Sequence, residues 1–120
     1  MNPKIIVLGN EFIDEDSLAR KICDKILDFE IIKVRDSFEL MEELWKNEKK
    51  IILDVVENLK EPREITLDEL NTGKIISAHD FDAGFVFRLF GEQVKIIGIP
   101  QTGDENLILE KVKIILSGYE

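Results

Sequence analysis

Residues 51–56 read IILDVV, and this stretch decides the fold class. All but one of its residues are Ile, Leu or Val, which is typical of a strand whose two faces are both buried. Lys4–Leu8 (KIIVL) and Val94–Ile99 (VKIIGI) are runs of the same kind. Because parallel strands covered by helices on both faces produce such runs, we predict an α/β protein with a mainly parallel sheet.

The segments between these runs predict the helices and the remaining strands. Apolar residues recur at helical spacing after Ser17, a suitable N-cap, and after Asp36 or Ser37, either of which can cap a second helix. The predicted apolar faces are Leu18, Ala19, Ile22, Cys23, Ile26 and Leu27 in the first helix and Leu40, Met41, Leu44 and Trp45 in the second. The other predicted elements are strands at 29–34 and 63–67, an extended segment at 74–77, and helices at 82–90 and 105–116.

Length, composition and charge limit the classes of protein to which this chain can belong. The chain has 120 residues, 44% of them hydrophobic, and a formal net charge of −9 from 16 Lys plus Arg and 25 Asp plus Glu. This length and apolar content predict one folded domain, residues 1–120, and exclude disorder caused by low hydrophobicity. The acidic balance argues against nucleic-acid binding, and no apolar run approaches the ~20 residues that span a bilayer. The single cysteine, Cys23, excludes a disulfide framework, so we expect a cytoplasmic protein.

Three potential metal ligands follow or end predicted strands. An acidic loop containing Asp14, Glu15 and Asp16 follows the first strand, Asp54 lies within IILDVV, and His79 follows the extended segment. In open α/β sheets functional residues lie beyond the carboxyl ends of the strands, and the ends of strands 1 and 3 are expected to be neighbours. Two carboxylates and one imidazole suit a first-row transition ion such as nickel or zinc.

Each of these residues also has a simpler interpretation. An acidic loop is commonly the solvated start of a helix, where the helix dipole favours negative charge. Asp54 is costly to bury unless it is paired, so it lies either at the edge of the strand or in a site. His79 can be a surface histidine, and Cys23 is expected to be an unreactive core residue. The sequence also has no Gly-x-Ser-x-Gly turn and no phosphate-binding glycine loop, which argues against serine hydrolase chemistry and phosphoryl transfer.

Four motifs occur in order along the chain: Gly9-Asn10 followed by Asp16, IILDVVENLKEP (51–62), ISAHDFDAGFVFRL (76–89) and KIIGIPQTG (95–103). The first resembles a Gly-Asn…Asp opening, and the second an apolar strand that ends in Asp-Ala before a loop with Pro. The third resembles a Ser-x-His segment that leads into a helix, and the fourth a Val-Gly-Ile-x-Pro strand. Together these motifs resemble the hydrogenase maturation endopeptidases, which trim the C-terminus of the [NiFe]-hydrogenase large subunit.

This resemblance implies both a fold and a site. The family has a three-layer α/β/α arrangement around a mixed five-stranded sheet of order 2-1-3-5-4, in which strand 4 is antiparallel. By resemblance, Asp16, Asp54 and His79 are the catalytic and metal-binding residues. The metal is nickel supplied by the substrate, the [NiFe]-hydrogenase large-subunit precursor, and the enzyme is expected to hold no cofactor of its own. The implied reaction is endoproteolytic removal of the C-terminal extension from the nickel-loaded precursor.

The sequence departs from the family at several positions, so other functions stay open. Residues 35–38 read Arg-Asp-Ser-Phe where the family has Asp-Gly-Gly-Thr, and Leu8 stands where it has Gly. One alternative is a non-catalytic relative that acts as a binding module in hydrogenase assembly. Another is a signalling receiver domain, which shares the length and the Asp at the end of strand 3. A receiver, however, has paired acids after strand 1 and a Lys before the last Pro, where this chain has Gly9-Asn10 and Ile99.

Overall fold

The computed structural model describes residues 2–8, 18–46, 48–66, 69, 76–77, 88–90 and 93–119. Its strands are β1 (Lys4–Leu8), β2 (Ile31–Val34), β3 (Lys50–Glu57), β4 (Arg63–Ile65), β5 (Ile76–Ser77) and β6 (Val94–Ile99). Its helices are α1 (Leu18–Cys23), α2 (Ser37–Leu44) and α3 (Glu105–Ser117). None of the described helices combines the length and the apolar character needed to cross a bilayer.

The main sheet has the order β2-β1-β3-β6-β4. Neighbours are parallel except β4, which runs antiparallel to β6 at the edge. If the five predicted strands are counted along the chain, this order is 2-1-3-5-4 with strand 4 antiparallel, so the predicted topology is confirmed. The two-residue β5 is an addition: it pairs antiparallel with the last two residues of β3.

Two apolar layers cover the two faces of the sheet, and they follow from the alternation of side chains along each strand. On one face, Ile51, Leu53 and Val55 of β3 pack with the buried sides of α1 and α3. On the other face, Ile52 and Val56 pack with residues of α2 and β4. The predicted three-layer α/β/α arrangement is therefore confirmed.

Helix α2 begins at its predicted polar cap but ends before its last predicted core residue. Asp36, not Ser37, is the N-cap, because its carboxylate accepts a hydrogen bond of 2.9 Å from Glu39 N. Leu40 and Leu44 are buried as predicted, whereas Trp45 is 68% exposed. The prediction that Trp45 belongs to the core face is wrong: Trp45 keeps a helical backbone at the C-cap, and its place seven residues after Phe38 puts it on the exposed side of the helix.

The end of α1 also differs from the sequence prediction. The helix stops at Cys23, and Lys25 N and Ile26 N then donate to carbonyls only three residues earlier. This tighter turn changes the direction of the following side chains, so Ile26 is buried but Leu27 is 86% exposed. The prediction that Leu27 lies on the apolar face is therefore wrong.

The remaining boundaries differ by one or two residues. Strand β2 begins at Ile31 instead of residue 29, and β3 extends the predicted strand by one residue at each end. The predicted closing helix is α3, capped by Asp104 and ending at Ser117. The predicted helix at 82–90 is helical at residues 88–90, and residues 82–87 lie outside the described part of the chain.

Candidate active site

The central feature of the candidate site is Asp54 in β3. Its side chain is 1% exposed, and among the described residues it and Lys50 are the buried charged side chains. Asp54 lies on the same face of the sheet as Ile52 and Val56, the face covered by α2. A carboxylate in such surroundings is costly unless its polar atoms are paired, so its presence in an apolar strand indicates a dedicated environment. Asp54 thus lies inside β3, three residues before its end, and its role in a site stays a prediction.

The neighbouring strands place Asp54 at the carboxyl edge of the sheet. Leu53 pairs with Val7, so Leu8, the last residue of β1, comes next to Asp54 in the same register. On the other side, Asp54 pairs with Gly98 near the end of β6. The prediction that the carboxyl ends of strands 1 and 3 are neighbours is confirmed.

Strand β5 brings a distant part of the chain to this edge. Beyond Val55 the strand β3 outruns its pairing with β6, and Val56 and Glu57 pair instead with Ser77 and Ile76. The predicted extended segment at 74–77 is thus a strand at 76–77, and residues 74–75 lie outside the described part. Ser77 is opposite a residue only two positions after Asp54.

The other predicted ligands precede α1 or follow β5 in the sequence. Asp16 and His79, with Asp14 and Glu15, lie outside the described residues. Among the residues that are described, no three His, Cys, Asp or Glu side chains form a group that could hold a metal ion. The combination of Asp16, Asp54 and His79 therefore stays a prediction, with Asp54 as its one described member.

Gly98, the neighbour of Asp54, is required by close packing. A Cβ atom placed on it would lie 2.8 Å from both Cδ1 and Cγ1 of Ile65 and 3.1 Å from Cγ2 of Val56. Ile65 and Val56 are both buried in the layer beneath α2, so neither can move away freely. The absent side chain thus allows β4 to pack Ile65 over β6, next to the strand position that carries Asp54.

We expect Gly98→Ala to lower the free energy of unfolding by about 1–3 kcal/mol, because an added methyl group overpacks this contact. Urea denaturation measures the change. Gly118→Ala is the matched control: its Cβ would meet nothing closer than Ile115 O at 3.4 Å, and its φ of −72° suits alanine. The control should be neutral or gain up to about 1 kcal/mol. Equal stability of the two variants would contradict the packing argument.

An ion pair holds the segment after β4 against the strand. Arg63 Nη1 lies 2.8 Å from Glu69 Oε1, and Nη2 contacts the other carboxylate oxygen. Thr66 donates to Glu69 Oε1 from its backbone N at 3.2 Å and its hydroxyl at 3.1 Å. The Arg63 guanidinium, followed by Thr66, lowers the pKa of Glu69 from 4.5 to about 2.

The depressed pKa of Glu69 predicts a pH-dependent contribution to stability. The contribution is present above the ordinary pKa of 4.5 and is lost as the pH falls from 4.5 towards 2, where the folded protein also takes up the proton. Wild type should exceed Glu69→Gln by about 1 kcal/mol at pH 7, since the pair is partly solvated, and the difference should vanish near pH 2. Glu110→Gln, at an exposed position of α3, is the control. A difference independent of pH would contradict this origin.

Cys23 and Lys50 are structural in this arrangement. Cys23 is fully buried, which confirms its predicted place in the core, and burial raises the pKa of its thiol. Lys50 was expected to precede the third strand, but it is the first residue of β3 and is 2% exposed. Burial lowers the pKa of Lys50, and its Nζ donates to the carbonyls of Leu44 at 3.3 Å and Lys46, at the end of α2. No signal in the sequence separates Lys50 from Lys49.

The fold can be compared with that of a solved protein. The structure of the [NiFe] hydrogenase maturation protease HybD from Thermococcus kodakarensis matches this chain with a TM-score of 0.71, at 22% identity and over 100% of both chains. This chain has the fold of a hydrogenase maturation protease. No protein-family model matches the sequence, and no curated protein matches it either.

The observed strand order excludes one of the alternative functions that the sequence left open. In the receiver fold the strand order is 2-1-3-4-5, with the last strand at the edge. Here β6 lies inside the sheet between β3 and the antiparallel β4, so the receiver alternative is excluded. Asp54 is the fifth of the eight residues of β3, the central strand of this sheet, and it pairs with Gly98 of β6.

Proposed function

We propose that this chain is an endopeptidase that removes the C-terminal extension from a nickel-loaded [NiFe]-hydrogenase large-subunit precursor. The observation that carries the proposal is Asp54, a buried carboxylate at the carboxyl edge of a sheet with the maturation-protease topology. The full-length similarity to the HybD structure supports a role in hydrogenase maturation. In α/β proteins, functional residues commonly lie near the carboxyl ends of the strands.

Chain connectivity supports His79 as a second member of the proposed site. His79 follows Ser77 by two residues, and two residues span at most about 7 Å. Ser77 itself is paired with Val56, which is two positions from Asp54. On this basis we propose that His79 acts together with Asp54.

Chain connectivity also supports Asp16. It precedes Leu18, the first residue of α1, by two residues, a span again of about 7 Å at most. Leu18 packs in the same apolar cluster as Val7 and Val55. Val7 immediately precedes Leu8 in β1, and Val55 immediately follows Asp54 in β3. On this basis we propose Asp16 as the third member of the site.

The chemistry of such a site explains how it could select its substrate. Two carboxylates and an imidazole are suitable ligands for nickel and leave coordination positions open. A nickel ion already held by the precursor could complete its coordination with these side chains, so that only a loaded precursor is positioned for cleavage. The ion would polarise the scissile carbonyl or the attacking water.

The proposal is tested with the nickel-loaded and the metal-free forms of the large-subunit precursor from the same source. Each is incubated with the protein and its intact mass is measured. We expect loss of a short C-terminal peptide from the loaded form alone. Intact loaded precursor would favour the non-catalytic assembly module instead. Equal cleavage of both forms would show that nickel is not the checkpoint.

A further inference from the structure

Helix α2 carries large apolar side chains on its solvent side as well as on its core side. Phe38 is 82% exposed and Trp45 is 68% exposed, and Met41 lies between them half-buried. Their spacing of three and four residues places them on one side of the helix, over a rise of about 10 Å. With Phe90, which contacts Trp45, we call these residues the aromatic face.

The aromatic face is partly preorganised. The rings of Trp45 and Phe90 are 5.4 Å apart at 77°, an edge-to-face contact. Phe90 in turn packs against the apolar layer beneath α2, so it anchors the exposed indole. A side chain that is already held loses little conformational freedom when a partner covers it, and such aromatic residues commonly dominate binding energy.

The charge of the aromatic face restricts its partner. Glu42 lies between Phe38 and Trp45 along the exposed side of α2 and has no ion-pair partner among the described residues. By contrast, Glu39 pairs with Arg35 at 2.8 Å and Glu43 with Lys46 at 3.1 Å. Within the described part of the chain, the surface therefore presents aromatic rings around the carboxylate of Glu42 with no cation paired to it, and the net charge of the protein is −9.

The aromatic face begins beside the candidate active site. Strand β2 ends at Val34, which pairs with Leu8 at the carboxyl edge of the sheet, and α2 starts three residues later. Phe38 thus lies in the first turn of a helix that leaves this edge and crosses the face carrying Asp54. A polypeptide bound at the carboxyl edge can continue along α2 towards Trp45.

We propose that the aromatic face docks a segment of the precursor that carries large apolar side chains and at least one Lys or Arg. This inference rests on the proposed function, and it adds the part of the enzyme that holds the substrate. A basic residue would pair with Glu42 while the apolar side chains cover Phe38 and Trp45. Charge argues against other occupants: two copies related by a two-fold axis would oppose their Glu42 carboxylates, and an anionic lipid surface would repel them.

The test measures both binding and turnover with the nickel-loaded precursor. Phe38→Ala and Glu42→Lys are compared with Ile114→Ala, which removes an equally prominent side chain, 70% exposed, from α3 on the other face of the sheet. We expect about tenfold weaker binding to immobilised precursor for Phe38→Ala. KM should rise by a similar factor with kcat unchanged, and Ile114→Ala should match wild type. Glu42→Lys should weaken binding about threefold or more and reduce its dependence on salt.

The outcomes separate this inference from the proposed function. If wild type binds the precursor without cleaving it, the loss of binding in Phe38→Ala still supports the docking surface. If Phe38→Ala and Glu42→Lys bind as wild type does, the inference is overturned even when cleavage occurs. It is also overturned if wild type does not bind the precursor. Finally, preferential binding to phosphatidylserine vesicles, or self-association abolished by Phe38→Ala, would assign the surface to another occupant.

Discussion

Asp54→Asn should reduce the rate of precursor cleavage by roughly a thousandfold or more while the protein stays folded. Asparagine keeps the shape of the buried side chain but removes the negative charge that the proposed site offers to the substrate's nickel. A neutral amide oxygen is a weaker ligand, so the loaded precursor would no longer be held in the cleavable position. The rate is measured from the intact mass of the nickel-loaded precursor over time.

The stability of the same variant separates a site residue from a packing residue. Because the substitution is nearly isosteric, we expect a loss of only about 1–2 kcal/mol in the free energy of unfolding. Asp104→Asn is the control: Asp104 caps α3 by accepting from Asn106 N at 2.9 Å and Leu107 N at 3.1 Å, and asparagine caps equally well. The control should keep full activity. Full activity in Asp54→Asn would remove Asp54 from the proposed site.

His79→Ala should cause a comparable loss of cleavage, and the loss should not add to that of Asp54→Asn. If Asp54 and His79 act as one catalytic unit, loss of either residue already removes the activity of the unit. The double variant should then be about as inactive as either single variant. His79 is the one histidine of the chain, which makes the substitution specific for imidazole chemistry. The measurement is again the cleavage rate of the loaded precursor, with thermal stability followed in parallel.

Two results would argue against the assignment of His79. A change in stability with cleavage at the wild-type rate would identify a packing or surface histidine. Rate losses that multiply in the double variant would mean that Asp54 and His79 act independently. Either outcome would leave the fold unchanged, because the topology is established by strands that contain neither His79 nor Asp16.

The sequence correctly predicted the strands that are buried on both faces. IILDVV, KIIVL and VKIIGI are apolar on both faces because each is flanked by strands and covered by helices, so their local pattern is sufficient to predict buried strands. The order of the sheet came from the motif resemblance and not from periodicity, since apolar patterns do not say which strands are neighbours. Asp54 could also be singled out from the sequence, because a carboxylate inside an apolar run is locally conspicuous.

The features that the sequence predicted wrongly or incompletely lie near the ends of helices and strands. Leu27 continues the helical spacing but follows the point at which α1 ends in a tighter turn. Trp45 keeps the helical spacing but lies at the margin of the apolar face, on the side of Phe38. The segment at 74–77 was predicted to be extended, but its partner was not: Ser77 and Ile76 pair with Val56 and Glu57 of β3. The residue pattern within one segment does not show which other segments will pair with it or pack against it.

The sequence by itself determined that this protein has a parallel α/β core with a carboxylate in its central strand. Only the tertiary structure decided that Gly98 must lack a side chain, because Ile65 comes from a different strand to fill that space. It likewise decided that Lys50 is buried while Lys49 is exposed, and that Phe38 and Trp45 face solvent beside the candidate site. Burial at these positions depends on contacts between segments far apart in sequence, and such contacts exist only after the sheet has assembled.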